Sequence, residues 1–401
     1  MKRRNKIVVC ASVTAVLVAS VRPVDETAAS GPLVLGLNDH GLRLVVVRAS
    51  PATGQATLTK RSVSGAAPAA AEAQAMQVEV TAKTTLMRFA FDGLEPATEY
   101  DYALRVIEGA GETRFQGRVK TAPMPGKGAV RFAAFGDSGK IPWWTYASAK
   151  VAVGPAPWLE GVLPGRGQQW DIAALVAQKQ VDLVLHLGDI VYPKGAREHY
   201  NEAYFEPFAN IAARVPVWPA IGNHDVMTEN GQPVVDYFDL ERRYFDFVHG
   251  PVHFFCIDMY SSAMDKASEQ RKWLAERLAQ SSAPWKVAFT HRPFHTVSRS
   301  KDDADNAMLR DEVHPMLAAA GVRFVFSGHD HNYQRFRAVD SVHYIVAGGG
   351  GKSLYELGSS PDLVLSLRDY SLVIVDADER RMRLEAIDVH GQVFDRVEET
   401  R

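Results

Sequence analysis

The residues of this 401-residue chain best suited to chemistry sit where apolar runs stop. The stretches "VRFAAFGDSG", "VDLVLHLGDIVY", "VPVWPAIGNHD", "WKVAFTHRPFH" and "VRFVFSGHDH" share this form. Between them they supply Asp137, Asp189, Tyr192, Asn223, His224, His291, His295, His329 and His331. Carboxylate, amide and phenol oxygens mixed with imidazoles, without thiolates, suit Fe, Mn or Zn rather than a soft-metal or iron-sulfur site. One ion does not need so many donors, whereas two ions sharing a carboxylate do. A pair of metals about 3.5 to 4 Å apart can hold both the attacking and the leaving oxygen of an in-line phosphoryl displacement.

GDSG, GDIVY, GNHD, FTH and GHDH, in that order, resemble the five blocks of the purple acid phosphatases, within the calcineurin-like metallophosphoesterases. The resemblance covers roughly residues 130 to 395, including "EQRKWL" before the FTH strand and "HYIVAGGGG" after GHDH. It implies a dinuclear centre: iron(III) held by Asp137, Asp189, Tyr192 and His331, and Fe(II), Zn or Mn held by Asn223, His291 and His329, with Asp189 as the bridge. A Tyr192 phenolate favours a hard trivalent ion and gives the family its colour. His224 resembles the family's histidine that steadies charge on the phosphoryl oxygens. His295, on a loop because Pro293 interrupts any helix, is expected to protonate the leaving alkoxide. The implied activity is an acid phosphatase-like hydrolysis of phosphate monoesters, by direct attack of metal-bound hydroxide rather than of a protein nucleophile. Two rivals remain. One is a phosphodiesterase or nucleotide pyrophosphatase on the same centre; the other, from a different class, is an extracellular binding protein with a vestigial metal site.

Positioning such a constellation requires strand ends that meet. Runs apolar on both faces are strands of a sheet covered on both sides, the α/β class. "QQWDIAALVAQKQ" and "ASEQRKWLAERLAQ" space apolar residues three and four apart and should be covering helices. Ligand crevices in open α/β sheets lie beyond the carboxyl ends of the strands. The resemblance implies a four-layer α/β/β/α sandwich over residues 130 to 397. Before it, residues 31 to 122 read as an all-β sandwich, with short strands and no helical period. "LEPATEYDYALRV" followed by "GRVKTAP" resembles a fibronectin type III domain, while "AAPAAAEAQA" looks like an extended loop. This domain is either a binding module or a spacer packed on its neighbour; no partner for it is legible. "APMPGKGA" marks the boundary.

A chain of this length implies two domains, and 46% apolar with 23% charged residues is ordinary for a folded protein. Lys2, Arg3, Arg4 and Lys6 lead into "IVVCASVTAVLVAS", the layout of a secretory signal over residues 1 to 30. Export to the periplasm or medium is therefore expected, an uncleaved membrane anchor being the other reading; no other segment reads as a span. Of the two cysteines Cys10 lies in the leader, so Cys256 would have no disulfide partner in the mature chain. Removing a leader of net +3 from a chain of net −2 leaves about −5, which argues against a nucleic-acid scaffold role and leaves a phosphate ester as the expected partner.

Several lesser features complete the reading. Asp225 and Arg335 are candidates for orienting ligands, and His186 for the core. Lys194, Arg292 and Arg299 either meet substrate phosphate or are solvated. "AGGGGKS" reads as close backbone packing rather than a phosphate loop. The insertion "KIPWWTYASAKVAVGPAPWLEGVLPGRGQ", with Trp143, Trp144 and Trp158, is expected to lie beside the crevice as a lid.

Overall fold

In a computed structural model the described residues are 30–48, 52–61, 70–74, 76–81, 84–139 and 167–401, with 70–84 described by backbone alone. The expected leader up to residue 29 and the tryptophan-bearing part of the insertion lie outside them.

The N-terminal strands are β1 (Ser30–Leu35), β2 (Gly41–Arg48), β3 (Thr53–Lys60), β4 (Ala70–Gln74), β5 (Met76–Thr81), β6 (Thr84–Asp92), β7 (Glu99–Glu108) and β8 (Gly111–Lys120). They form two antiparallel sheets, ordered β1-β2-β6-β5 and β4-β3-β7-β8. Alternation fills the space between them: Leu44, Val46 and Phe89 of one sheet meet Leu58, Tyr102 and Leu104 of the other. Tyr100 accepts a hydrogen bond from the Glu95 backbone N–H at 2.9 Å, which fastens the corner entering β7. The expected loop "AAPAAAEAQA" is corrected in part, because residues 70–74 pair with β3 as a strand. Its alanines carry no apolar alternation strong enough to signal that pairing from sequence.

The sandwich is also packed against its neighbour. Leu33, Leu35, Val45, Val47 and Leu86 share a core with Tyr200, Tyr204 and Phe205 of the second domain. Arg43 pairs with Asp239 at 2.6 Å, Arg88 reaches the same carboxylate, and Tyr102 donates to the Ala213 carbonyl at 2.8 Å.

In the second domain β9 (Val130–Phe135), β10 (Leu183–His186) and β11 (Val217–Pro219) are parallel. β12 (Phe245–His249), β13 (Val252–Ile257), β14 (Trp285–Thr290) and β15 (Phe324–Ser327) follow, then β16 (Tyr333–Phe336), β17 (His343–Ala347) and β18 (Leu363–Leu367). β19 (Ser371–Ala377), β20 (Arg381–Asp388) and β21 (Val393–Thr400) complete the chain, the last running past the expected limit at 397. Two sheets result, ordered β11-β10-β9-β19-β20-β21 and β12-β13-β14-β15-β17-β16-β18. Phe132, Leu185, Val373, Phe254, Phe289 and Phe326 form the dry layer between them.

Both predicted helices are present, as α1 (Gln168–Gln178) and, further on, Glu269–Gln280. α1 buries Ile172, Leu175 and Val176 on the six-stranded sheet. The Glu269–Gln280 helix starts where Ser268 Oγ accepts from the Arg271 N–H, and buries Trp273, Leu274 and Leu278 on the seven-stranded sheet. Helix, sheet, sheet, helix are the four layers. No helix among the described residues is long and apolar enough to cross a membrane.

The edge strand β12 is held by a charged cluster. Asp246 Oδ2 lies 2.8 Å from both His253 Nε2 and Arg277 Nη2. Burial alone would raise the Asp246 carboxyl, but hydrogen bonds from His253 and Arg277 outweigh it and hold the group at about 2. Because the folded value lies below the usual carboxylate value near 3.9, this stabilisation is present above about pH 4 and lost as pH falls through about 2. Asp246→Asn should cost about 1 to 2 kcal/mol at pH 7, after discounting for the half-exposed Arg277. Urea midpoints across pH 2 to 7 would check it, and a cost that did not shrink in acid would refute this origin.

Candidate metal centre

Asp137, Asp189, Asn223, His291 and His329 each lie within four residues of the carboxyl end of a parallel strand. β9, β10 and β11 deliver the oxygen donors Asp137, Asp189, Tyr192 and Asn223; β14 and β15 deliver His291, His329 and His331. The centre thus forms where the ends of two face-packed sheets meet.

Close approach explains the glycine that precedes most of these ligands. A Cβ on Gly222 would lie 2.2 Å from Asp189 Oδ1, and one on Gly328 would lie 2.6 Å from Asp137 Oδ2. Asp137, Asp189 and His329 adopt positive φ of 62°, 52° and 70°, a region uncommon for residues with a side chain. Neither "GHDH" histidine lies on an extended strand. Asp330 and Asn332 N–H groups each bond two residues back, so the segment from β15 to β16 is a tight bend. His329 and His331 consequently face different parts of the cluster.

Tyr192 Oη lies 3.0 Å from Asp137 Oδ1, 2.9 Å from Asp189 Oδ2 and 3.0 Å from His331 Nε2. Asn223 Oδ1 lies 3.2 Å from His291 Nε2 and 2.8 Å from His329 Nδ1, and those two ring nitrogens are 3.2 Å apart. Asp189 Oδ2, 3.5 Å from His291 Nε2, stands between the two groups. Donor atoms of Asp137, Asp189 and His291 all fall within 4.8 Å of one another. His291 Nδ1 is bonded to the Leu187 carbonyl and His331 Nδ1 to the Ser353 carbonyl, both at 2.7 Å. Each bond places the ring proton on Nδ1 and turns a bare Nε2 to the centre, the orientation that metal-ligating histidines take.

These residues fit a pair of cations. Burial and the Asp189 charge push the Asp137 carboxyl well above its usual range, and burial with both carboxylates does the same to the Tyr192 phenol. Burial holds His291 and His329 down at about 3 and His331 at about 4, so the rings stay neutral and able to ligate. A bound cation reverses the sign of the carboxylate problem, since it favours the charged forms that crowding opposes.

The candidates outside the ligand set separate cleanly. His224 Nδ1 donates to the Pro193 carbonyl at 2.5 Å, and its Nε2 lies 4.0 Å from Asp189 Oδ2 on the cleft wall. His295 is not brought to the cleft: its ring lies 4.7 Å from that of Tyr344 and 5.6 Å from that of Phe336. The chain turns at Pro293, and Arg310 holds the Phe294 carbonyl at 2.8 Å, which carries His295 to the outer face of the sheet. Burial, then Arg310 and His314, lower it to about 4.

Asp225 does orient the site. Its Oδ2 accepts from the Asp189 and Gly222 N–H groups at 2.8 and 2.9 Å, and its Oδ1 from the Ile190 N–H at 3.0 Å. Arg335 does not, because it forms a two-pronged pair with Asp395 at 2.6 and 2.7 Å, tying β16 to β21. His186 is buried with its Nε2 2.8 Å from Ser138 Oγ. The glycine run packs against the first loop, Gly350 N–H donating to the Gly136 carbonyl at 2.9 Å. Arg292 and Arg299 line the cleft of about 360 Å³, with Asn223, His224, His329, His331 and Tyr355.

Sequence reasoning missed Tyr260 and Tyr355. Tyr260 Oη lies 3.5 Å from His329 Nδ1, and the Tyr355 ring stacks on His331 at 3.9 Å. Neither belongs to a recognisable block, and their position depends on where distant loops land.

The chain is similar to known proteins in sequence and in fold. The calcineurin-like phosphoesterase family matches residues 130–333. Tartrate-resistant acid phosphatase type 5 of Mus musculus is 24% identical over 263 residues, 57% of this chain and 74% of that one. A protein of Arabidopsis thaliana named probable inactive purple acid phosphatase 9 is 25% identical over 292 residues, 57% of this chain and 44% of that one. This chain therefore spans less than half of the plant relative's length. Among solved structures, GAP50, described as the anchor in the inner membrane complex of Plasmodium, superposes with a TM-score of 0.53 at 14% identity. That match covers 68% of this chain and 89% of GAP50, and it speaks to the fold.

Proposed function

The chain belongs to the calcineurin-like phosphoesterase family, and on that premise we propose that it is an exported phosphomonoesterase of the purple acid phosphatase type with an iron-containing dinuclear centre. Export rests on the leader-like sequence. The observation that carries the subfamily is the buried Tyr192 hydroxyl, within 3.0 Å of Asp137, Asp189 and His331. A phenol in that position supplies a hard anionic oxygen to a trivalent ion.

Two bound ions would supply an activated water and a clamp for the phosphoryl oxygens. The chain's own residues do the rest. Asp189 is shared between the two groups of ligands, and Leu187 and Ser353 carbonyls aim His291 and His331. His224 Nε2 faces the cleft, and with Nδ1 donating to the Pro193 carbonyl it can donate to an oxygen of a phosphate ester only as the imidazolium. Leaving-group protonation is not assigned to His295, which points away.

Metal content together with the visible spectrum tests the proposal. Two metals per chain including iron, with a broad visible band that Tyr192→Phe abolishes, is the expected result. A colourless protein holding two zinc or manganese ions would move the chain to another branch of the family. Failure to bind any metal on reconstitution would sink the hydrolase reading.

A further inference from the structure

Two arginines of one loop reach the cleft, and they differ in what holds them. Arg292 is neutralised by Asp303 at 2.5 Å and Asp305 at 3.3 Å. Arg299 has no carboxylate within ion-pair distance among the described residues. Its Nη1 donates instead to Tyr355 Oη at 3.2 Å, and its guanidinium lies 5.3 Å from the centre of that ring. The same ring also stacks on His331, at 3.9 Å and 19°. A metal-ligand candidate, a tyrosine and an uncompensated guanidinium are therefore linked in series at the cleft wall.

An exposed arginine by itself is usually just solvated. This one stands on a fixed frame. Thr296 Oγ1 and Ser300 Oγ donate to the Asp330 carboxylate at 2.5 and 2.8 Å, and Asp330 lies between the two "GHDH" histidines. The Val297 N–H donates to Gln334 Oε1 at 2.7 Å, and Ser298 Oγ to the Glu356 carbonyl at 2.7 Å. From the other side, the Tyr355 N–H donates to the His331 carbonyl at 3.0 Å. The ordering cost of placing a guanidinium beside the ligands is thus met in the folded chain rather than on binding.

We propose that Arg299 is a specificity-determining residue that binds a second anionic group on the substrate, so that the preferred esters carry a carboxylate or a further phosphate on the leaving group. This rests on the phosphatase reading of the same site. Arg299 lines the same cleft as His331 and is linked to it through Tyr355, so it is placed to meet a part of the substrate other than the reacting phosphoryl group. A planar guanidinium forms paired hydrogen bonds with carboxylate or phosphate, a match that the single ammonium of lysine lacks. Tyr355 acts as a positioning residue, holding the guanidinium at a set distance from His331.

The test uses the full chain loaded with metal. Turnover of 4-carboxyphenyl phosphate is compared with that of phenyl phosphate, and calorimetry compares binding of 4-carboxybenzylphosphonate with that of benzylphosphonate. Both carboxylated probes should be preferred by the wild type. Arg299→Ala should lower each preference ratio at least tenfold, Arg299→Lys should restore part of it, and Tyr355→Phe should lower it by a smaller factor. An equal effect of Arg299→Ala on the charged and uncharged probes, or no preference in the wild type, would overturn the proposal. A metal-loaded protein that binds the phosphonates yet hydrolyses neither ester would refute the phosphatase reading, and the calorimetric ratio would then decide for or against Arg299.

Discussion

Asp189→Asn should abolish retention of both metals and lower turnover by at least about a thousandfold, as expected when the group shared by two ions is lost. Asp189 touches both halves of the cluster with one oxygen: its Oδ2 lies 2.9 Å from Tyr192 Oη and 3.5 Å from His291 Nε2. Asparagine fits the same space and still offers Oδ1 to the His224 N–H, now 2.8 Å away. What it removes is the negative charge. That charge is a burden to the protein without metal, because it helps push both Asp137 and Asp225 upward. Metal-free Asp189→Asn should therefore melt no lower than metal-free wild type, which separates loss of a ligand from loss of the fold. Elemental analysis, turnover and thermal melts of the two apo proteins make the measurement. Two metals per chain with activity within tenfold of wild type would remove Asp189 from its role.

Asp225→Ala should have the largest effect on stability, a loss of at least about 3 kcal/mol, since each of three buried N–H donors left without an acceptor costs about 1 kcal/mol or more. The carboxylate is fully buried and receives three backbone N–H groups, from Asp189, Ile190 and Gly222. Alanine leaves those donors unpaired with no route to water. Asparagine is no remedy, because one of its two ends would turn an amide N–H against a backbone N–H. Since Asp225 joins the loops after β10 and β11, the variant should also bind metal weakly even where it folds. Urea denaturation of the metal-free protein isolates the first effect, and a wild-type midpoint would show that the three N–H groups find other partners.

The fold and most of the candidate centre were legible because their signals are local. An apolar run, a glycine and a donor residue mark a strand whose end must let another loop approach its Cα, as the close contacts at Gly222 and Gly328 show. Helical spacing at Ile172, Leu175 and Val176, or at Trp273, Leu274 and Leu278, is likewise written into a dozen residues. What could not be read were directions taken after a strand ends. His295 and Arg299 occupy one loop, yet His295 turns under Phe336 and Tyr344 while Arg299 reaches the cleft. That choice depends on Arg310, Asp330, Gln334 and Tyr355, which lie up to 60 residues further along and meet the loop only in the folded chain.

By itself, then, the sequence determined the donor types, their order on parallel strands and the α/β class that must carry them, since these follow from periodicity and residue chemistry. The tertiary structure decided which donors converge, that Arg335 serves Asp395 rather than a ligand, that strand β4 exists, and which of two loop arginines keeps an uncompensated charge. Convergence is set by how two face-packed sheets align their ends, and no property of a short segment contains that distance.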